Sequence, residues 1–527
     1  MKEFPYNRYF NYQEMEAFLH EMHQAHPDLC RLEALAKTNG GRTIWGVTLA
    51  SNCTEADTPE MRPAFYVQAG THAEENNGVT GALALLFEML EKPEYRKQLE
   101  TVTVYITPCI NPDGCDDCLT KYMRLRSAWE QQPEGTPNAL KLCDIDGDGR
   151  ILQMRWEDPT GRWKAPADCG GLLVERLPGD TEGPFYNTCF EGVFENYDAT
   201  AQVNDMRLVD MNRNYPFGWT DVQQSGDYPG KYTETRTVME FLLNHPNIFA
   251  AFDLHAGSRA LILSYSDNPN DIAIMRKIMA VSKKITGLEC VRSGYYCVSE
   301  VKRDNLLPGV FDSYVYHSFG VINGTVELGY GWDSAGFSLD EIWNAPDGTM
   351  VQSMVSKIVE VHQKQGSQLA APWVKYNHPQ LGMVEIGGRL WGNSGMLLAS
   401  DMIEVLPRVT AFMREIMQWY PRLELVNVKA DAVGGDVVRI RADVINTGKL
   451  GTTVLKGSEG YHAKYPLRLS LSGADEILNR EMVKELSSLD PLESQKLEWF
   501  VRAKPGTTLT ITANHPKSGV ARVNITV

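Results

Sequence analysis

No apolar run in this sequence approaches the roughly 20 residues that would span a bilayer. The first residues, MKEFPYNRYFNYQEMEAF, lack the apolar core of a signal peptide. The sequence therefore predicts a chain without a membrane span and with the cytoplasm as its default address. Removal of a leader would instead make it secreted or periplasmic. No block of like charge forms a tail, and no internal repeat or low-complexity tract stands out. The formal net charge is −16, which argues against nucleic acid as a partner, because phosphate binding wants basic patches. Cysteine pairs are also scarce. Cys115 and Cys118 form one CxxC, with no second pair at zinc-ribbon spacing, so the ten cysteines read as free thiols.

What is present is an ordinary globular composition, 43% hydrophobic and 22% charged, in a chain too long for one core. One large domain and a smaller one are expected. Near the start, Met15, Phe18, Leu19 and Met22 share one face of a helix in YQEMEAFLHEMHQAH. Strand candidates follow at TIWGVTLA, PAFYVQAG, TVTVYITP, IFAAFDLH and VINGTVEL, with helical stretches between several of them, for example Asp271 to Ile285. Such alternation predicts an α/β sheet with helices packed on its faces. Residues 127–204 break the rhythm. This stretch is rich in Gly, Pro, Asp and Asn, and it reads as a long insertion with little regular structure. Beyond Pro421 come short alternating segments separated by turn residues, the pattern of a small antiparallel β-sandwich. The division is thus 1–420, including the insertion, and 421–527.

The chemistry concentrates where PAFYVQAG gives way to a helix, at His72, Glu74 and Glu75. A catalytic zinc commonly takes three protein ligands from His, Asp and Glu and leaves a fourth position for water. His72 and Glu75 are spaced as one turn opening a helix requires to aim both at one point, with Glu74 pointing elsewhere. Open α/β sheets place their sites beyond the carboxyl ends of strands. Two other strand ends supply His255, in FAAFDLHAGS, and Glu327, in INGTVELGYG. Between these lie NPDG (Asn111 to Gly114), a turn sequence by itself, and DMNRNY (Asp210 to Tyr215).

Taken together and in this order, the motifs resemble the zinc carboxypeptidases of the carboxypeptidase A (funnelin, M14) type. The likeness runs over roughly residues 8–420, and the insertion and the C-terminal β domain resemble a bacterial subgroup. It implies a mixed, mostly eight-stranded sheet flanked by helices and one catalytic Zn2+. It implies His72, Glu75 and His255 as metal ligands and Glu327 as general base and acid. Asn212 and Arg213 would bind the free carboxylate of a peptide substrate. Arg126 would polarise the scissile carbonyl, with Arg124 and Arg155 as rivals. Direct chemistry agrees. A zinc-bound water has its pKa lowered toward ~7, a carboxylate can shuttle its proton, and an arginine fork matches a carboxylate.

The sequence also departs from the family pattern. Glu74 stands where many relatives carry arginine, which removes a positive charge from the cleft. The family's mobile tyrosine has two candidates, Tyr295 and Tyr296. Phe311 and Asp312 fall where a specificity pocket should be lined. In the insertion, Asp144, Asp146, Asp148 and Gly149 match the first half of an EF-hand loop, but Arg155 replaces the Glu expected at position 12. A structural Ca2+ on these aspartates and ion-free tight turns both fit the pattern. Three functions remain open on sequence grounds. The leading one is a zinc exopeptidase that removes a C-terminal residue. The second is a zinc amidase or deacylase acting on cell-wall peptides or N-acyl amino acids. The third is a catalytically silent binding protein that works through its β-sandwich.

Overall fold

Eight strands hydrogen-bond into one mixed sheet at the centre of the larger unit. In spatial order they are Cys30–Lys37, Thr43–Leu49, Thr103–Thr107, Ala64–Ala69, Ile248–His255, Ile322–Leu328, Arg259–Leu263 and Glu289–Arg292. This computed structural model describes residues 3–55, 57–222, 224–292, 307–343, 352–390, 397–480 and 482–527. The four central strands are mutually parallel, and antiparallel strands flank them. Every residue of Ala64–Ala69 and of Ile248–His255 is buried. That explains their near-continuous apolar sequences, since a parallel sheet is covered on both faces.

The covering helices follow from local signals. Asn11 caps the helix Tyr12–Ala25 in a reciprocal box with Glu14, and the buried face is Met15, Phe18, Leu19 and Met22, as the periodicity predicts. Asn76–Glu91, Pro269–Thr286 and Ala399–Ile416 contribute to one core with Phe65, Val67 and Phe252. Thr233–Asn244 and Phe311–Phe319 pack on the opposite face against Tyr66, Tyr105 and Ala251. NPDG proves to be a helix start. The Asn111 side chain accepts from Gly114 N, and Pro112 opens the helix Pro112–Lys121.

The insertion departs from expectation. Instead of little regular structure, it holds strands at Gln153–Glu157, Trp163–Lys164, Val174–Glu175 and Phe185–Phe190. These join Ala370–His378 and Gly382–Arg389 in a second sheet of six strands. The physical reason is long-range pairing: Met154 lies opposite Ile386, and the pair share a core with Phe190 and Val384. A strand whose partner lies more than two hundred residues away leaves only a short β-prone run in its own neighbourhood.

Residues beyond 421 form two four-stranded antiparallel sheets. Their inner faces enclose Trp499, Ile440, Leu469 and Ile511, all fully buried, as a β-sandwich requires.

One glycine sets how closely the helix after the HxxE segment approaches the sheet. A Cβ on Gly78 would lie 2.5 Å from the Leu254 carbonyl oxygen. Gly78→Ala should therefore push the helix off the strand that carries His255 and destabilise the fold by about 1–3 kcal/mol. Gly179, with nothing within 4 Å of its Cβ position, provides the control. Its alanine variant should stay within about 0.5 kcal/mol of the parent in urea unfolding.

Candidate metal centre and active site

His72 and Glu75 sit in a turn closed by Glu75 N donating to His72 O at 3.2 Å. The helix itself begins at Asn76, with Glu75 as its N-cap residue, so the two residues meet through the entry turn rather than the first helical turn. The third member arrives by sheet register: His255 is the last residue of its strand and lies directly opposite Glu327 on the parallel neighbour. His72 Nδ1 is 2.9 Å from Glu75 Oε1, and His255 Nδ1 is 2.9 Å from Glu75 Oε2 and 3.0 Å from His72 Nδ1. The three side chains are buried, and their donor atoms fall within 4.8 Å of one another. Two imidazole nitrogens and a carboxylate converging this way are a donor set suited to zinc.

The far side of each imidazole is held by a carboxylate that the sequence reading passed over. His72 Nε2 lies 3.1 Å from Asp210 Oδ1, and His255 Nε2 lies 2.9 Å from Asp253 Oδ2. Asp253 is fully buried and also accepts from Gln68 Nε2 and Thr71 Oγ1, each at 2.9 Å. Burial alone would raise the pKa of Asp210, but the nearby Arg126 and His72 outweigh it and hold the group well below the usual carboxylate range. Asp210 hydrogen-bonds the outer nitrogen of His72, and Asp253 lies within ion-pair distance of that of His255, with Nδ1 of each ring facing inward. The available signal was the D-x-H spacing of Asp253 and His255, which puts both side chains on one side of a strand.

Arg126 joins the same cluster. Its Nη1 donates to Glu75 Oε1 at 2.8 Å, and its Nε to Asp210 Oδ2 at 3.4 Å. Ser127, the next residue, ties the motifs together. Asn111 Nδ2 donates to its carbonyl at 2.6 Å, its own N–H donates to Val209 O, and Met211 N donates to its hydroxyl. A Cβ on Gly114 would strike that same carbonyl at 2.3 Å. NPDG and DMNRNY are thus two sides of one clamp around the arginine. Of the rivals, Arg155 lies in the second sheet, bonded to Glu385 and stacked between Tyr186 and Trp373. Arg124 neighbours Glu74 rather than the ligand group, as does Arg389.

Glu327 stands beside His255 with one oxygen free. Its Oε2 is shielded from solvent and has no hydrogen-bond partner among the described residues. Burial, reinforced by the nearby Glu75 charge, pushes its pKa up to about 7. Gly257 keeps the space beside it clear, since a Cβ there would lie 3.1 Å from Oε2. Asn212 turns its Oδ1 to Phe311 N at 2.9 Å, and Arg213 Nη1 donates to the Asn212 carbonyl at 2.7 Å. Asp312 is buried beside Arg213, and burial pushes its carboxyl up to about 6. Tyr295 and Tyr296 lie outside the described residues.

A sequence profile described as zinc carboxypeptidase matches residues 15–139 and 195–346, more than half of the chain. The chain belongs to the zinc carboxypeptidase family. The stretch between the two matched segments covers most of the insertion. A second profile, described as a domain of unknown function, matches residues 422–526. Among curated relatives, this family member is 28% identical over 144 residues to a zinc carboxypeptidase of Saccharothrix mutabilis subsp. capreolus, covering 26% of this chain and 32% of that protein. It is 27% identical over 183 residues to carboxypeptidase M of Mus musculus, covering 33% of this chain and 41% of that one. These alignments thus span well under half of the relatives' length. Among solved structures, thrombin activatable fibrinolysis inhibitor aligns over 78% of this chain and 74% of its own, at 14% identity and a TM-score of 0.43. No helix among the described residues is long and apolar enough to cross a membrane.

The aspartate-rich loop differs from the sequence expectation. Asp144 and Asp146 gather with Glu191 rather than with Asp148, because Asp148 is drawn off to Arg150, whose Nε donates to it at 2.7 Å. Asp144 accepts from the backbone N–H groups of Gly147, Asp148 and Gly149. Glu191, fully buried, accepts from Ile145 and Leu152 N–H. The donor atoms of Asp144, Asp146 and Glu191 lie within 4.8 Å of one another, and their bonds to backbone N–H groups are those of a tight turn.

If Asp210 orients His72, then Asp210→Asn should weaken zinc binding by about 10–100-fold while far-UV circular dichroism stays unchanged. Competition against a chromogenic chelator gives the affinity, and an unchanged value would deny Asp210 that role.

Proposed function

We propose that this protein is a zinc-dependent metallocarboxypeptidase that hydrolyses the C-terminal peptide bond of peptides carrying a free carboxylate. The observation that carries the reading is the shielded, unpartnered Oε2 of Glu327 on the strand directly beside His255. A carboxylate held near neutrality beside a cation site is suited to take a proton from water and return it to a leaving amine. His72, Glu75 and His255 would hold the metal. A zinc ion bound there would lower the pKa of a coordinated water toward ~7 and polarise the carbonyl. Arg126, anchored between Glu75 and Asp210, would stabilise the oxygen as it gains negative charge. Arg213, with its planar fork, and Asn212, whose Oδ1 is already occupied, would seat the terminal carboxylate. Tyr296 keeps only the role that the family resemblance implies. In this reading residues 1–420 are the catalytic unit, with the insertion at about 127–204, and residues 421–527 form a separate β domain.

The decisive comparison is a set of peptides supplied both free and C-terminally amidated, with products read by mass spectrometry. Loss of a single C-terminal residue from the free forms alone is expected. Equal cleavage of both forms would remove the role of Arg213 and favour an amidase or deacylase. Glu327→Gln should lower the hydrolysis rate by about 10²–10⁴-fold with zinc content unchanged. A chelator should abolish activity and added zinc should restore it. Hydrolysis that survives complete metal removal would refute the mechanism.

A further inference from the structure

The β domain buries Lys517 where, among the described residues, no carboxylate pairs with it. Lys517, in the turn between the strands Thr508–His515 and Gly519–Thr526, is fully buried. Its Nζ reaches across to the larger unit, donating to the carbonyls of Phe319 and Gly320, the latter at 3.1 Å. It also lies 4.0 Å from the centre of the Tyr461 ring. Phe319 ends the helix Phe311–Phe319, and Gly320 is its left-handed cap at φ 59°. Burial pushes the Lys517 pKa well down, and as an N–H donor it still satisfies carbonyls that a helix leaves without a partner at its C-terminal end.

Other residues of the β domain close on the same spot. Ser458 Oγ donates to Ser318 O at 2.9 Å, and Leu455 N to Gly320 O at 3.0 Å. A Cβ on Gly320 would meet Leu455 O at 2.5 Å. Tyr316, on the same helix, bonds Asp271 Oδ2 at 2.7 Å, and that carboxylate also accepts from Lys456 N.

The opposite end of this helix is part of the substrate site. Phe311 N is the donor that orients Asn212, Tyr215 N bonds Gly309 O, and Tyr215 packs on Phe311 and Tyr314. Immediately after Gly320 the chain enters the strand Ile322–Leu328, which carries Glu327. The carbonyls gripped by Lys517 therefore lie at the junction of two elements, one bracing Asn212 and the other presenting Glu327.

We propose that Lys517 is a positioning residue for the substrate site, through which the β domain fixes the helix Phe311–Phe319 against Asn212 and Arg213. The domain thus acts as an internal strut of the cleft. The inference rests on the carboxypeptidase reading only for its kinetic consequence. The test uses the full chain with zinc, comparing the parent with Lys517→Met and with the milder Ser458→Ala. The second variant decides the matter if the first does not fold. Well below the unfolding temperature, KM for a free-carboxylate peptide should rise about tenfold or more for Lys517→Met. Ser458→Ala should move it less in the same direction, with kcat within about twofold and zinc content unchanged. Hydrogen exchange should quicken at the amides of Phe311 and Tyr215 as well as at the helix end. Unchanged KM and unchanged exchange at Phe311 and Tyr215 in a folded variant would overturn the proposal, even if the variant is less stable. Should the parent hydrolyse no peptide, the carboxypeptidase reading fails, and the exchange measurement alone still decides for or against the strut.

Discussion

The cleft depends on one register. His255 and Glu327 lie opposite each other on two adjacent parallel strands packed on both faces, so a slip of either strand would break the close fit of its side chains with the helices above and below. That constraint puts a candidate ligand and a candidate base side by side before any metal is considered. Everything else approaches from loops. The turn after Ala64–Ala69 brings His72 and Glu75, and the Ser127 clamp brings Arg126. Buried carboxylates outnumber the arginines at this point, which suits the site to a divalent cation and makes it costly to leave uncompensated.

The glycines and aspartates carry as much of the arrangement as the conspicuous histidines. Gly78 lets the helix reach the strand, Gly114 lets NPDG touch Ser127, and Gly257 keeps room beside Glu327. Asp210 and Asp253 stand behind the imidazoles. Glu74, placed between the candidate ligands in sequence, neighbours Arg126, Arg389 and Arg124. It stands apart from the group formed by His72, Glu75 and His255.

Much of the fold was legible in the sequence where the signal is local. The helix Tyr12–Ala25 shows its buried stripe, the central strands show their apolar runs, and the C-terminal segments alternate as sandwich strands do. The gathering of His72, Glu75 and His255 was legible through motif order. What stayed hidden is non-local. The second sheet needs Gln153–Glu157 to find Gly382–Arg389. Asp253 and Asp210 read as ordinary polar residues until a ring nitrogen is placed beside them. Glu191 takes the place of Asp148 beside Asp144 and Asp146 from the bend between the strands Phe185–Phe190 and Gly192–Glu195, a relation that spacing cannot carry.

The second sheet also dictates an order of events during synthesis. Its strand Gln153–Glu157 emerges from the ribosome long before Gly382–Arg389, the partner that covers one of its edges. Until then the insertion exposes unpaired backbone and the apolar side chains that later meet Val384 and Ile386. A nascent chain can therefore bring together the strands of its central sheet, with His255 and Glu327 already paired, before its second sheet and the helix Ala399–Ile416 are complete. The insertion is thus sealed only once Gly382–Arg389 has been made, and until then one of its strand edges is open to aggregation.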